Sequence, residues 1–571
     1  MRNRIVGEGL TLKLVCVTLS CALAGCAVGP DYQPPTVDAP ATWHDAHHAN
    51  TPTAASASLT APASPASPAS SAMPAAAASS ARAMSDASIV PSNPVEQSDP
   101  DPLWWHSFND PLLNQLIERA TRGNLDLQQA VLRIVEARTQ VQSAAAAGLP
   151  NVRATGSYTR EQLGVKGILD SNGVYNQVDR LGAPNSPLNT IAPGLGATAQ
   201  NGANNLLDQL TSPINLWQIG FDASWELDLF GRVRRSVEAA DAQTQAAIEN
   251  RNDALVSLEA EVAQTYMQLR GALALYAITQ RLIGEEQQIL DLTRSQAAVG
   301  ITSQLDVESA SAQLTTIQSQ LPQYDQQIAQ AMNGLCYLLG ETPGSLDDLL
   351  AAPAAVPAVP PQVPVGIPST LARRRPDVRA AEAQLHAATA DVGVAVAQFY
   401  PDISLTGEIG TRGEHARELA HWSSLFYSFG PSISLPIFQG GALVANLRLS
   451  KAEQAGAALQ YRKVVLMALR DVDNALVVYR TDQSRRLELG NTVAAQQTAF
   501  DLSSDSYRKG LVSFITVLDA ERQLAQARQQ YVQGTTQVTT DLVALYKALG
   551  GGWETEARDA ATGGDQAVST R

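Results

Sequence analysis

The sequence predicts a mainly α protein that also carries membrane β-strands, with one structural plan used twice in the chain. Three observations predict this. The stretch WQIGFDASWELDL, residues 217–229, is apolar at every odd position and mostly polar or small at the even ones, the period of a strand with one apolar and one wet face. Two gapless internal registers relate the halves: LTRSQAAVGITSQLDVESASAQL from Leu292 matches LSSDSYRKGLVSFITVLDAERQL from Leu502, and residues from Asn124 match residues from Arg375. Finally, no proline occurs between Gly231 and Pro322, or after Gly441, so helices approaching 100 Å are permitted at about 1.5 Å per residue. Such strands pose a difficulty, because a membrane barrel needs at least about eight strands to close and only about four are legible here.

From the N-terminus, Arg2, Arg4 and Lys13 precede an apolar segment, Leu14 to Leu23, as in a secretory signal over residues 1–25. The run Leu23-Ala24-Gly25-Cys26 resembles a bacterial lipobox, which makes Cys26 the lipidated first mature residue; the alternative is ordinary cleavage beside a chance cysteine. Ala27 stands where aspartate often marks inner-membrane retention, so the resemblance implies the outer membrane. Processing would leave Cys336 as a lone thiol and no intrachain disulfide. Within residues 26–100 the chain turns Ala-, Ser- and Pro-rich from about Pro40, and a flexible leader is expected. The trio His44, His47 and His48 is assigned no metal, since a flexible tract gives ligands no orienting partners.

Repeat one then occupies residues 101–350 and repeat two 351–550, with a disordered tail expected over 551–571. In repeat one, Leu149-Pro150 ends a helix and Val152 to Tyr158 begins a strand. A polar loop from roughly Glu161 to Asn215, either functional or mobile at that length, leads to the return strand. In repeat two Pro401 ends the helix, ISLTGEI follows from Ile403, and SISLPIF, Ser432 to Phe438, alternates again. Val262, Tyr266, Leu269 and Leu273 recur at the spacing of neighbouring coiled-coil helices. Gly300 and Gly510 interrupt both helical runs at matched places, where a reversal uses glycine's freedom at positive φ.

The composition narrows function. A net charge of −15 argues against nucleic acid, whose phosphates need a basic partner. No apolar run of about eighteen residues follows the N-terminus, so no membrane helix is expected. The sequence has no HExxH, CxxC, GxSxG or Walker loop, and GLGATA at Gly194 lacks the strand that a dinucleotide fingerprint follows. No catalytic residue, metal site or cofactor is assigned, apart from covalent lipid on Cys26.

The chain resembles the outer membrane factor family, the TolC- and OprM-like exit ducts, and especially its lipoprotein (NodT-like) branch. The resemblance rests on CAVGPDYQPP from Cys26, WWHSFNDPLLNQLIERA from Trp104, ASWELDLFGR from Ala223, IPSTLARRRPDVRAAEAQL from Ile367 and the two VG(I/L)-like reversals. It covers nearly everything from Trp104 to Gly550. It implies a homotrimer whose chains each give four strands to one twelve-stranded barrel, continued by a long α-helical periplasmic barrel. Closure by trimerisation also resolves the strand shortage, since an open sheet would leave edge amides unsatisfied in lipid.

The resemblance further implies a periplasmic gate at the helix reversals, carrying Asp306, Asp519 and the latching aromatic Tyr507. Two departures stand nearby: Thr516 where a second aspartate is common, and Val512 where some members have arginine. Asp306 alternatively caps a helix begun by Ser303, and Asp519 alternatively lies on a solvated face. Gly300 with Ile301, and Gly510 with Leu511, are the adaptor-docking turns or plain helix C-caps. Trp104, Trp105 and Phe108 are expected to pack the equatorial belt, and Arg373 to Arg375 to contact that belt or nearby carboxylates, with no transport role assigned. The implied partners are a periplasmic membrane-fusion adaptor, an inner-membrane RND transporter and outer-membrane lipid. Drug efflux is the expected role; a type I secretion duct and a non-channel coiled-coil lipoprotein scaffold are the alternatives.

Overall fold

A computed structural model describes residues 27–36, 40, 42–43, 95–96, 98, 101–162, 164–350 and 355–554. Cys26, the signal segment, His44, His47, His48 and residues 555–571 lie outside them. In chain order the elements are β1 (Val95–Glu96), α1 (Pro111–Gly123), α2 (Leu125–Ala146), β2 (Asn151–Glu161), α3 (Val165–Ser171), α4 (Val174–Gly182), α5 (Pro187–Ile191), α6 (Leu195–Thr211) and β3 (Ile214–Glu226). Then follow α7 (Arg232–Ala298), α8 (Gln304–Gln318), α9 (Leu321–Leu339), α10 (Asp347–Leu350), β4 (Val363–Pro364), α11 (Pro368–Arg374) and α12 (Pro376–Ala397). The last are β5 (Asp402–Gly413), β6 (Leu425–Ser434), α13 (Ala442–Arg508) and α14 (Phe514–Leu549).

The repeat is reproduced at the level of element boundaries. α2 and α12 each have 22 residues, and α7 and α13 each have 67, close to the 100 Å that the proline-free runs permit. α14 is one helix of 36 residues. Its counterpart is divided into α8 and α9 by Pro322, which lacks an amide hydrogen and is confined to a helix's first turn.

The chain divides into two compact units, each drawing on both repeats. One comprises residues 1–31, 140–239 and 389–451 and holds an antiparallel sheet of order β2-β3-β5-β6. Between β2 and β3, the segment read as a polar loop folds into α3 to α6. Gly164, Gly173 and Gly194, each at positive φ, precede three of these helices, and buried Val178 and Leu207 centre them. Three of the glycines that suggested loop thus sit at helix starts, while Asn176, Asn189, Asn201, Asn204 and Asn205 lie within the helices. The fourth strand is also displaced from its expected position. β6 spans Leu425–Ser434, and Leu435 to Phe438 lie beyond the pairing. Gly430 and Pro431 look like breakers in sequence, but β6 is an edge strand among the described residues, where proline's missing donor costs no ladder bond.

The second unit, residues 32–139, 240–388 and 452–571, holds the main hydrophobic core. Trp104 stacks on Tyr546 at 5.1 Å, with Trp105, Phe108, Leu113, Leu116, Tyr266 and Leu542 buried around it. The leader departs from its expected flexibility where it is described. Trp43 is buried and donates from Nε1 to the Gly366 carbonyl at 3.1 Å, and β1 pairs in parallel with β4. An average over an Ala/Ser/Pro-rich tract hid single residues able to anchor it. Likewise, beyond Gly550, Trp553 Nε1 donates to the Arg374 carbonyl and Arg374 pairs with Glu554 at 2.8 Å. Arg375 bridges Asp377 at 2.7 Å and donates to the Ala548 carbonyl.

Candidate functional site: a two-faced sheet and a paired helix reversal

The sheet register sorts side chains onto two faces. Phe221 is level with Ala154 and Ile409, and Ile409 with Tyr427; Ala223 is level with Val152 and Gly407, and Gly407 with Phe429. Tyr158 meets Trp217 with ring centroids 4.5 Å apart. This face is apolar yet uncovered: Phe221 is 59 % exposed, Tyr427 70 % and Phe429 80 %. Contiguous exposed aromatics of this kind mark a surface that meets apolar material.

The opposite face is polar and cross-linked. Thr155 Oγ1 donates to Asp222 Oδ2 at 2.8 Å, Gln218 Nε2 to Glu408 Oε1 at 2.7 Å, and Arg412 Nη2 to Gln218 Oε1 at 2.9 Å. Apolar on one face and aqueous on the other is the alternation of an outer-membrane barrel wall. The outer edges of β2 and β6 remain unpaired among the described residues. None of the described helices is long and apolar enough to cross a membrane.

The ASWELDLFGR motif makes the turn from β3 into α7. Glu226 pairs with Arg232, whose Nε donates at 2.9 Å, and Asp228 accepts the Arg234 amide at 2.9 Å, covering a free donor at the helix start. The residues after Cys26 dock beside this turn. The Val28 amide donates to the Phe230 carbonyl at 3.1 Å, and buried Arg235 grips Asp31 at 2.6 Å.

In the second unit, the two helix reversals are built alike. Gly300 and Gly510 have φ of 73° and 75°. The Ile301 amide donates to the Gln296 carbonyl and the Gly300 amide to Ala297; Leu511 and Gly510 repeat this with Ser506 and Tyr507. Paired bonds of this form close a helix with a left-handed glycine. The turn leaves Ile301 and Leu511 outside, 72 % and 74 % exposed. Beneath them Leu290, Val307, Ala310, Leu314 and Phe514 form a small separate core, against which Tyr507 packs.

Tyr507 feels the charge of Asp306, whereas Asp519 bonds within its own helix. Tyr507 donates to Gln296 Oε1 at 2.9 Å and lies 5.4 Å from the Phe514 ring. Burial first, and the Asp306 carboxylate second, raise the Tyr507 pKa above the usual phenol value. Asp306 forms a capping box with Ser303: its Oδ2 accepts the Ser303 amide at 3.0 Å, while Ser303 Oγ accepts the Asp306 amide. Its capping role is therefore present. Asp519 is exposed and accepts from Arg522 at 2.6 Å and Gln523 at 2.7 Å on its own helix. Where a second aspartate was sought, Thr516 instead lies 3.2 Å from Ser513. Sequence reasoning missed Gln296, the partner of Tyr507, and Phe514, whose place three and ten residues before buried Val517 and Leu524 is a helical signal. Among the described residues no cluster of three or more potential metal ligands occurs.

Comparison with known proteins fits this geometry. The family model "Outer membrane efflux protein" matches residues 116–341 and 367–551, one segment in each repeat. The antibiotic efflux pump outer membrane protein ArpC of Pseudomonas putida is 31 % identical over 531 residues, 93 % of each chain. The toluene efflux pump outer membrane protein TtgC of Pseudomonas putida shows the same identity and coverage. The solved structure of the outer-membrane channel OprN aligns with a TM-score of 0.73 at 31 % identity, covering 93 % of this chain and all of that one.

Proposed function

Since the chain belongs to the outer membrane efflux protein family and is an outer-membrane component of an efflux system, we propose that it acts as a passive trimeric exit duct. The observation that carries this reading is the four-stranded sheet with one apolar face, one wet face and two open edges. In hydrocarbon each unpaired edge amide costs several kcal/mol. Joining β6 of one copy to β2 of the next removes every edge once three copies have closed a twelve-stranded barrel. The polar face then lines a water-filled passage, and no substrate pocket is required.

The duct belongs to a tripartite pump. An inner-membrane RND transporter supplies the energy, and a periplasmic adaptor docks on the exposed Ile301 and Leu511 turns beside Gly300 and Gly510. Docking strains the small core beneath and separates Tyr507 from Gln296. Three-fold symmetry makes Asp306 and Asp519 rings of carboxylate that concentrate cations in the opening. Lipid on Cys26 supplements the barrel, at roughly 0.8 kcal/mol per buried CH₂. The clamp holds Val28 and Asp31 beside the strand-to-helix turn. The cargo is a set of drug-like or solvent-like molecules, in keeping with the names of the relatives.

Deleting the gene and screening a drug panel tests the role. The reading predicts increased susceptibility to several unrelated compounds, restored by the intact gene. Unchanged susceptibility across the panel, with secretion of a protein lost instead, would transfer the duct to type I secretion.

A further inference from the structure

Glu286 on α7 and Glu521 on α14 are almost wholly buried, 1 % and 7 % exposed; Leu282 clusters with Ala525 and Leu290 with Phe514, which sets the two glutamates level with one another between these contacts. Glu286 sits between buried Leu282 and Leu290, four residues to either side, and Glu521 between buried Val517 and Leu524. Both oxygens of Glu286 and Oε2 of Glu521 have no hydrogen-bond donor among the described residues. Two ionised carboxylates in that setting would suffer both desolvation and mutual repulsion. A single proton removes the repulsion and one of the two buried charges, since one carboxyl then donates to the other.

The surroundings supply no adequate substitute. On α7, Glu285 adds further negative charge to Glu521. On α14, Arg528 is the nearby cation, and its Nη2 is engaged by Gln497 Oε1 of α13 at 2.6 Å. The α13 carboxylate in this region, Asp501, accepts from Gln497 at 3.1 Å. From α8, apolar Ile317 packs with Leu282 and Ala525. A cleft of about 450 Å³ lined by Glu285, Gln497, Phe500, Glu521 and Arg528 gives water a route to Glu521.

We propose that Glu286 and Glu521 share a proton that clasps α14 to α7, and that losing this proton loosens the neighbouring helix reversal, so that pH sets the resting closure. Asp519 is two residues from Glu521 on α14, and any displacement of that turn from α7 shears the pair. The effect on closure rests on the duct reading; the shared proton does not.

The direction follows from linkage. Burial first, then the Glu286 charge, pushes the Glu521 carboxyl up to about 8, and burial pushes Glu286 up to about 7. Carboxyls raised in the clasped arrangement stabilise it fully below their ordinary range, and that stability is lost as pH rises through those values. Alkaline pH therefore favours opening.

Two readouts on the mature protein extracted from membranes test the clasp. Infrared titration from about pH 6 to pH 9, a range spanning the raised values, is run on Asp541→Asn, which lacks another carboxyl raised to about 7; it is expected to show a protonated-carboxyl band that disappears as pH rises and is weakened when Glu521→Gln is added. In planar bilayers, open-state occupancy is expected to rise at least about tenfold over that range, and less than about twofold in Glu521→Gln and Glu286→Gln. Each glutamine retains a donor for its partner, and a heat-modifiable trimer on gels checks assembly. Absence of the titrating band, or an undiminished pH response in both variants, overturns the clasp. A titrating band without conductance at any pH upholds the shared proton and removes the duct.

Discussion

Tyr507 joins α13 to the end of α7 through one hydrogen bond and packs its ring on Phe514. Replacing it with phenylalanine keeps the packing and removes the bond, worth about 1 kcal/mol. The expected result is roughly a fivefold rise in open-state occupancy in bilayers; a closed-state lifetime equal to that of the unaltered protein would assign Tyr507 to packing alone. Asp519→Ala should raise single-channel conductance if the carboxylate faces the passage, and unchanged conductance would leave it as the partner of Arg522 and Gln523. Residues of this kind were unevenly legible. The glycine turns and Asp306 could be located because local chain geometry demands them. Tyr507 was placed, but its partner Gln296 lies 211 positions away, beyond the reach of local pattern. Glu286 and Glu521 were legible in principle, since each interrupts an apolar stripe at helical spacing. An acidic residue there reads as a break in the stripe until the opposing helix is seen to carry another.

At the scale of elements, duplication was the strongest signal. It fixed the paired 67-residue helices and the matched reversals, because a gapless register leaves little freedom in element length. The fourth strand and the 161–215 segment were misplaced for a common reason: glycine, proline and asparagine punctuate chains but do not reveal whether the next element is a loop, a short helix or an edge strand. The β3 face is tested directly by Phe221→Arg. A charge on the lipid face of a barrel costs about 2–4 kcal/mol near the midplane, so the heat-modifiable form should be depleted in membrane extracts, whereas Ser224→Arg on the polar face should be tolerated. Equal behaviour of the two variants would contradict the assignment of faces.

α14 carries a second acid in its packing, Asp541, with Gln537 donating to one oxygen and none among the described residues to the other. Burial, with Asp482 of α13 nearby, raises its pKa to about 7. Its stabilising influence is therefore greatest at acid pH and fades as pH rises through that value. Asp541→Asn should gain about 1 kcal/mol near pH 8 and flatten the pH dependence of the thermal midpoint. A midpoint that falls with pH as steeply as in the unaltered protein would reject this.

On the proposed duct reading, the whole molecule depends on a property that a single chain cannot supply. Its sheet satisfies the internal ladders of four strands and leaves the outer edges of β2 and β6 unpaired among the described residues, while Phe221, Ile409, Tyr427 and Phe429 remain without apolar cover. The same logic explains why the sequence looked one barrel short: strand number is a property of the assembly, and only the alternation is written in the chain. The most direct measurement is the mass of the membrane-extracted protein in detergent, paired with its conductance in planar bilayers. The account predicts the mass of three chains and a channel of low resting conductance; a stable single chain that leaves bilayers impermeable would contradict it.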